Sequence, residues 1–309
     1  MSRLRIALAS TSRFRRRRTW SFLYADKNFL SVEKILNDDH VSIEQLQECL
    51  DRSGYLLESR LVRSLTDADY FVEPNQVVID ARSGKSREID LIAESRRYNI
   101  ERGKVHVKTH FVIEASNNKF PFVLITERPS TPNSDFESYV QFICTPEPAP
   151  FLDKLNLYDV KEANWEKLFS QYCVLSRKSG GNKELMASHP DDVYGSLLKL
   201  VEYVEGEISL WNNRDNSSPD AYWRLLFWQP MIVLSGQLFQ VISKPNKEPE
   251  IQEINWGKLE FNWHANEIRR TTVIEVVTES YFLKRLEAIE MQDDNLEQKM
   301  SEIRRSMRI

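Results

Sequence analysis

Three stretches of the sequence decide the fold: GYLLESRLVRSL at 54–65, GKSREIDLIAES at 84–95 and HFVIEASNNKFPFVLIT at 110–126. In the first stretch the apolar residues recur at helical spacing, and Glu58 lies at the margin of the apolar stripe. The other two stretches have the short apolar runs of buried strands. The order helix, hairpin and third strand predicts a compact α–β–β–β module.

The remaining pattern predicts further elements on both sides of this module. Helices are predicted at 27–37, 42–51, 161–175, 190–208 and 280–307. The second half of the last helix is expected to be either a solvated extension or a short helix that dimerises or binds a partner. Strands are predicted at 70–72, 76–80, 87–94, 105–116, 121–126 and 271–278, and as two pieces of 222–242 divided at Pro230 and Gly236. The first two of these strands are expected to flank a turn at Pro74–Asn75.

Composition indicates a globular protein in a reducing compartment. The chain has 309 residues, of which 41% are hydrophobic, and no apolar run approaches ~18 residues, so no membrane helix or membrane partner is expected. The three cysteines are far apart and form no CxxC motif, which argues against a disulfide framework or a zinc ribbon and favours the cytoplasm.

The predicted domain organisation is a leader followed by one domain. Residues 1–26 are interpreted as a basic, disordered leader, and residues 27–309 as a single domain. Within that domain the core motifs occupy 50–126, an insertion occupies about 128–188, and the remaining core with the C-terminal helix occupies 189–309.

The charge is distributed unevenly along the chain. Residues 1–18 carry seven arginines and no acid, which leaves 35 basic and 46 acidic residues elsewhere, a net charge of −11. Such an acidic body does not fit a protein that grips a long duplex by charge alone, because that needs clustered Lys and Arg. The basic start itself is open to three interpretations: a nucleic-acid-binding arm, a transit-like segment, or a leader without function.

Three acids stand out by their positions among apolar residues. Asp90 lies between Ile89 and Leu91, Glu114 ends an apolar strand, and Glu58 lies on the helix before the sheet. A buried carboxylate costs several kcal/mol unless it is paired or binds a metal. Each acid alone is equally explained by a side chain that reaches solvent at the end of its strand or helix.

As a set, these acids and the three stretches that contain them resemble the PD-(D/E)xK nuclease superfamily. The resemblance covers about residues 50–126 and implies an α/β, restriction-endonuclease-like fold: a central mixed sheet flanked by helices, with a C-terminal elaboration. It implies that Glu58, Asp90 and Glu114 are catalytic. It also implies that Asp90, Glu114 and the backbone carbonyl of Ala115 bind Mg²⁺, with Mn²⁺ as a substitute, for phosphodiester hydrolysis.

The sequence departs from that family at one position. Where the family has a lysine two residues after the glutamate, this chain has Ser116. Lys119, three residues further on, is the candidate replacement. Lys108 shares a strand face with Glu114 but lies about 20 Å away along the strand, which is too far. Loss of a cation that stabilises a transition state costs ~10²–10³ in rate, so Ser116 fits either a slow enzyme or an inactive one.

Three functions therefore remain open from the sequence. The first is a Mg²⁺-dependent nuclease acting on nucleic acid, with DNA favoured over RNA. The second is a catalytically inactive relative that binds nucleic acid. The third is a protein-interaction module, in which the apolar C-terminal half makes a homodimer or binds another protein.

Overall fold

The computed structural model describes residues 40–79, 84, 86–97, 104–127, 140–146, 148–155, 157, 168–177, 184–212, 222–265 and 268–307. The chain divides into two compact units, residues 1–48 and residues 49–309. Only residues 40–48 of the first unit are described. The helix predicted at 27–37 and the domain boundary predicted after residue 26 lie outside the described residues.

The described residues contain four α-helices. The helices are α1 (Ile43–Ser53), α2 (Tyr55–Asp67), α3 (Asp191–Asn212) and α4 (Phe282–Met307), with short 3₁₀ turns at Leu152–Lys154 and Glu279–Tyr281. Gly54, at φ 88°, joins α1 to α2 in a left-handed conformation that favours glycine. None of these helices is long and apolar enough to cross a membrane.

Twelve strands in the described residues form one mixed sheet. The strands are β1 (Tyr70–Ile79), β2 (Ser86–Ser95), β3 (Val105–Ser116), β4 (Phe122–Glu127), β5 (Gln141–Thr145), β6 (Leu168–Arg177), β7 (Leu185–Ser188), β8 (Trp223–Leu234), β9 (Leu238–Ile242), β10 (Glu250–Ile254), β11 (Trp256–Ala265) and β12 (Ile268–Thr278). Their order is β1-β2-β3-β8-β12-β11-β6-β4-β9-β10, with β5 also paired to β8 and β7 to β6. The protein is thus an α/β protein with a large mixed sheet flanked by helices.

The first four strands in this order position the candidate site. β1, β2 and β3 form an antiparallel meander. β8 then lies parallel to β3 over its whole length, from Val105 opposite Trp223 to Ser116 opposite Leu234. α2 precedes β1 in the chain and α3 leads towards β8, so the elements follow the order α–β–β–β–α–β, with β4 to β7 inserted before α3.

Helices cover the two faces of this part of the sheet with separate apolar clusters. On one face, α2 and α4 pack on β2, β3 and β8 through Leu61, Phe111 and Leu286. On the other face, α3 packs on the sheet through Leu197 and Val201. α3 passes over the sheet near the C-terminal end of β3. Its residue Lys199 therefore lies next to Asp90 of β2 and Glu114 of β3.

A tight approach between two turns fixes the far end of β3 and β8. The chain passes from β3 to β4 and from β8 to β9 side by side, since β4 is parallel to β9 just as β3 is parallel to β8. A Cβ atom at Gly236 would overlap the backbone oxygen of Asn118, so only glycine allows the turns to lie this close. Ser235 Oγ also donates a hydrogen bond to Asn117 Oδ1, at 2.8 Å.

Most predicted elements are confirmed, but three predictions about strands and helices are wrong. Residues 70–79 form one strand, because the pairs on both sides of Asn75, Pro74 with Leu91 and Gln76 with Ile89, keep the same register with β2. β8 also runs through Pro230, which lies where the pairing with β5 has ended and the pairing with β12 has not begun. Residues 168–175, the described part of the helix predicted at 161–175, belong instead to β6, which pairs with β4, β7 and β11.

The second half of α4 is also packed on the sheet, contrary to the predicted solvated extension. Leu296 and Met300 are buried in an apolar cluster with β3 and β8. The Val107 N–H, in the part of β3 that lies beyond its pairing with β2, donates to Glu297 Oε2 at 3.1 Å. Polar side chains of α4 therefore satisfy backbone groups of β3, a role that a search for apolar spacing does not detect.

Candidate active site

Asp90 and Glu114 meet where the pairing of β2 with β3 ends. The last pair of these antiparallel strands is Leu91 opposite Ile113; Asp90 precedes Leu91 in the middle of β2, and Glu114 follows Ile113 near the end of β3. Past this pair, side chains replace the ladder: the Asp90 N–H donates to Glu114 Oε1 at 3.3 Å, and the Ala115 N–H donates to Asp90 Oδ2 at 2.8 Å. Two carboxylates are thereby fixed against each other beside the last β2–β3 pair.

An irregularity in β1 lies directly opposite Asp90. The register places Pro74 opposite Leu91 and Gln76 opposite Ile89, so Asn75 falls opposite Asp90. Asn75 has φ 56°, in the left-handed region that asparagine tolerates better than most residues. The regular ladder is thus interrupted on β1 at the level of the first acid.

Lys199 supplies a cation to this pair of acids. Its Nζ lies 2.6 Å from Glu114 Oε1 and 3.8 Å from Asp90 Oδ1. It also donates to the backbone carbonyl of Glu88. Lys199 comes from α3, and only 14% of its side chain is exposed. Oxygens from Glu88, Asp90 and Glu114 therefore share one ammonium group.

The burial of this cluster changes the acidity of its carboxyls. Desolvation raises the pKa of Glu114 to about 7, and the neighbouring Asp90 adds to this rise while Lys199 opposes it. Desolvation also raises the pKa of Asp90, against the hydrogen bond from Ala115 and the charge of Lys199. Perturbed carboxyls that share a basic partner are typical of functional sites.

Glu58 lies within electrostatic reach of the cluster. It is half-buried on α2. Its pKa is raised by desolvation and by the charge of Asp90, and Lys199 opposes the shift. The structure thus groups all three predicted acids around one lysine.

Ser116 and Lys119, the two residues considered for the missing lysine, have different surroundings. Ser116 ends β3 and lines a cavity beside Glu114. Lys119 is exposed in the turn after β3. The lysine in contact with Glu114 is therefore Lys199 and not the predicted Lys119.

A polar cavity of about 250 Å³ adjoins Glu114. Its walls come from the end of β3, the turn that follows, the end of α1 and the first turn of α3. The residues that line it include Arg52, Ser116, Asn117, Asn118, Asp192 and Ser196. We call it the polar cavity.

A second cavity, of about 270 Å³, adjoins Lys199 on α3. We call it the apolar cavity, because Val78, Ile79, Tyr203 and Leu210 form much of its wall. Three charged residues besides Lys199 also line it: Arg87, Glu202 and Glu207. Since Glu114 lines one cavity and Lys199 the other, their ion pair lies between the two.

The donor set at the acids is small. Within the described ranges, no group of three or more His, Cys, Asp or Glu side chains is placed to hold a metal ion. Asp90 and Glu114 offer two adjacent carboxylates, and the Ala115 carbonyl is next to them in the chain. Two carboxylates with a carbonyl are hard oxygen ligands, which suit Mg²⁺ or Mn²⁺ better than zinc.

Sequence reasoning missed Lys199, although a local signal was available. The residue interrupts a helical run of buried leucines and valines: Leu197, Leu198, Leu200, Val201 and Val204. A lysine among buried neighbours needs a partner for its charge. What the local pattern does not reveal is which carboxylates, on strands far away in the sequence, supply that partner.

No protein-family model, curated protein or solved structure matches this chain.

Proposed function

We propose that this protein hydrolyses phosphodiester bonds in nucleic acid with the help of Mg²⁺ or Mn²⁺. The observation that carries the proposal is the contact of Lys199 with Glu114, beside Asp90, in a largely buried cluster where the pairing of β2 with β3 ends. The order α–β–β–β–α–β, with β8 parallel to β3, supports it as well, because the restriction-endonuclease-like fold predicts that order.

The residues present fit a hard divalent cation. Asp90, Glu114 and the Ala115 carbonyl would hold it. A bound Mg²⁺ supplies charge neutralisation at the scissile phosphate and lowers the pKa of a bound water. Asp90 is positioned for this role by the Ala115 N–H, which fixes one of its oxygens at 2.8 Å.

Lys199 takes the role of the lysine that the family has at the position of Ser116. Its ammonium lies within contact distance of Glu114, so it can place positive charge where negative charge develops on the phosphate. This cation comes from α3 and not from β3. Glu58, whose pKa is influenced by the charges of Asp90 and Lys199, acts as an orienting acid.

Cleavage assays with an isosteric variant test this proposal. Labelled single- and double-stranded DNA and RNA are incubated with the parent, Asp90→Asn and Asp153→Asn, with Mg²⁺ or Mn²⁺. Asp153 is an exposed acid in a 3₁₀ turn and serves as the matched control. We expect metal-dependent cleavage that Asp90→Asn reduces by about 10²-fold or more and Asp153→Asn leaves unchanged.

Two results would contradict the proposal. Cleavage by Asp90→Asn at the parent rate would remove Asp90 from the site. No cleavage by the folded parent with either metal, together with retained binding of the oligonucleotide, would identify a nucleic-acid-binding protein without turnover.

A further inference from the structure

We propose that the polar cavity and the apolar cavity are two halves of one cleft, which receives the nucleotides on either side of the cleaved bond in a single strand. This inference rests on the proposed function and adds the class of substrate. Its starting point is the position of the ion pair. Glu114 belongs to the wall of one cavity and Lys199 to the wall of the other, and their contact of 2.6 Å joins the two walls.

One stripe of α3 runs along both cavities. Asp192 and Ser196 line the polar cavity, and Tyr203 and Leu210 line the apolar cavity. Lys199 lies between these pairs, and the separations of four, three, four and seven residues place all five on one helix face. The stripe spans about 27 Å at 1.5 Å per residue. A single nucleic-acid strand that follows this stripe would reach Asp90 and Glu114 near the middle of the stripe.

The two cavities differ in chemistry. The polar cavity offers the side chains of Arg52, Asn118 and Ser196, which can bind a phosphate or the polar edge of a base. The Nδ2 group of Asn118 is buried and has no acceptor among the described residues. An incoming phosphate or carbonyl oxygen is the acceptor that this donor lacks.

The apolar cavity has the properties of a base-binding site. Tyr203 provides a ring on which a base can stack, and Val78 and Leu210 provide apolar contacts. Glu202 and Glu207 in the same wall can accept hydrogen bonds from base amino groups. We therefore assign a base, and not the backbone, to this cavity.

A single strand fits such a cleft better than a duplex. Placing nucleotides on both sides of the cleaved bond into cavities of about 250 and 270 Å³ requires that they leave any base stack. That cost is smallest for a strand that is already single. The net charge of −11 outside residues 1–18 also leaves this body poorly suited to hold a long duplex by its phosphates.

The first arm of the test compares substrates of one sequence. The parent is given a labelled single-stranded oligonucleotide and the same strand in a blunt duplex, with Mn²⁺. We expect the single strand to be cleaved at least about tenfold faster. Cleavage of the blunt duplex at an equal or higher rate would overturn this inference, yet leave the proposed function intact if Asp90→Asn is inactive.

The second arm measures binding without metal, using Asp90→Asn and fluorescence anisotropy of the labelled single strand. Leu210→Glu places a charge at the apolar cavity, and Leu185→Glu places the same charge on β7; the two leucines are 60% and 54% exposed, so both variants should fold. We expect Leu210→Glu to weaken binding about tenfold, within the range of one lost stacked base, and Leu185→Glu to leave it unchanged.

Tyr203 and Tyr194 give a second matched pair on α3. Tyr203→Leu removes the stacking ring and should weaken binding, whereas Tyr194→Leu, in a residue that packs against Phe261, should not. Equal binding by Leu210→Glu, Tyr203→Leu and their controls would overturn the assignment of the apolar cavity. Binding that depends on Leu210 in a parent that never cleaves would support the cleft and reject the proposed function.

Discussion

Lys199 Nζ lies 2.6 Å from Glu114 Oε1, although one residue is on a helix and the other is on a strand on the far side of a long insertion. The contact joins a cation from α3 to the acids of β2 and β3. Under the proposed function, Lys199 supplies from another element the positive charge that the family resemblance would place at position 116, where this chain has Ser116.

Removal of the Lys199 charge should abolish most of the proposed activity. Lys199→Met keeps the length of the side chain but removes the ammonium group, so we expect cleavage to fall by about 10²–10³-fold. Lys244→Met, at an exposed lysine paired with Glu250, should cleave like the parent and controls for the loss of one charge. Steady-state cleavage of a labelled oligonucleotide checks both. Parent-like cleavage by Lys199→Met would contradict the assigned role.

Metal binding should weaken as the pH falls. Burial raises the pKa of Glu114 to about 7, so a proton occupies this carboxyl below that pH and must leave before a metal ion binds. We expect the apparent Mn²⁺ affinity to fall by up to about tenfold per pH unit below this pKa and to level off above it. Calorimetric titration at pH 6 and pH 8 checks this, with Glu114→Gln as the variant whose weaker affinity varies less. Equal affinities for the parent at both pH values would count against Glu114 as a ligand.

The fold around β3 should depend on a polar residue of the last helix. Glu297→Ala leaves the buried Val107 N–H without its acceptor, so we expect the free energy of unfolding to fall by about 1–3 kcal/mol. Glu302→Ala removes an exposed acid of the same helix and should change stability by less than about 0.5 kcal/mol. Urea denaturation followed by far-UV circular dichroism measures both. Equal effects would show that Glu297 does not support β3.

Two glycines should respond to alanine in opposite ways. A Cβ at Gly236 overlaps the Asn118 carbonyl, so Gly236→Ala should destabilise the protein by about 1–3 kcal/mol and disturb the wall of the polar cavity. Gly206 lies within α3 with open space around its Cα, so Gly206→Ala should stabilise by about 0.5–1 kcal/mol. Thermal unfolding of the two variants gives the sign of each change in stability relative to the parent. A Gly236→Ala variant as stable as the parent would show that the two turns can move apart.

The sequence predicted those parts of the fold in which local pattern and burial agree. The helical stripe of Leu57, Leu61 and Leu65 and the strand that carries Glu114 both formed as expected. Segment 168–177 misled the prediction because its buried side chains satisfy a helical spacing as well as a strand. Pro230 misled it because a proline can stay in a strand where the neighbouring ladders change.

The sequence was enough to predict the two acids of the candidate site, Asp90 and Glu114, but not its lysine, Lys199. Asp90 and Glu114 occupy successive strands of one meander, so local order brings them together. Lys199 reaches them only after the chain has passed through β4 to β7, and its partner is set by how α3 crosses the sheet. Lys119 was favoured because it is close in sequence, but it is exposed in the turn after β3. Distance along the chain is a poor guide to a contact that tertiary packing makes.

If Lys199 supplies the cation that is missing from position 116, a lysine introduced at 116 should replace it. Ser116 lines the cavity beside Glu114, so Ser116→Lys places an ammonium group at the same acid from β3. The rate of Mn²⁺-dependent cleavage is measured for the parent, Lys199→Met and Lys199→Met/Ser116→Lys. We expect the double variant to cleave at least about ten times faster than Lys199→Met. A folded double variant that stays as inactive as Lys199→Met would contradict the claim that Lys199 serves as the cation missing from position 116.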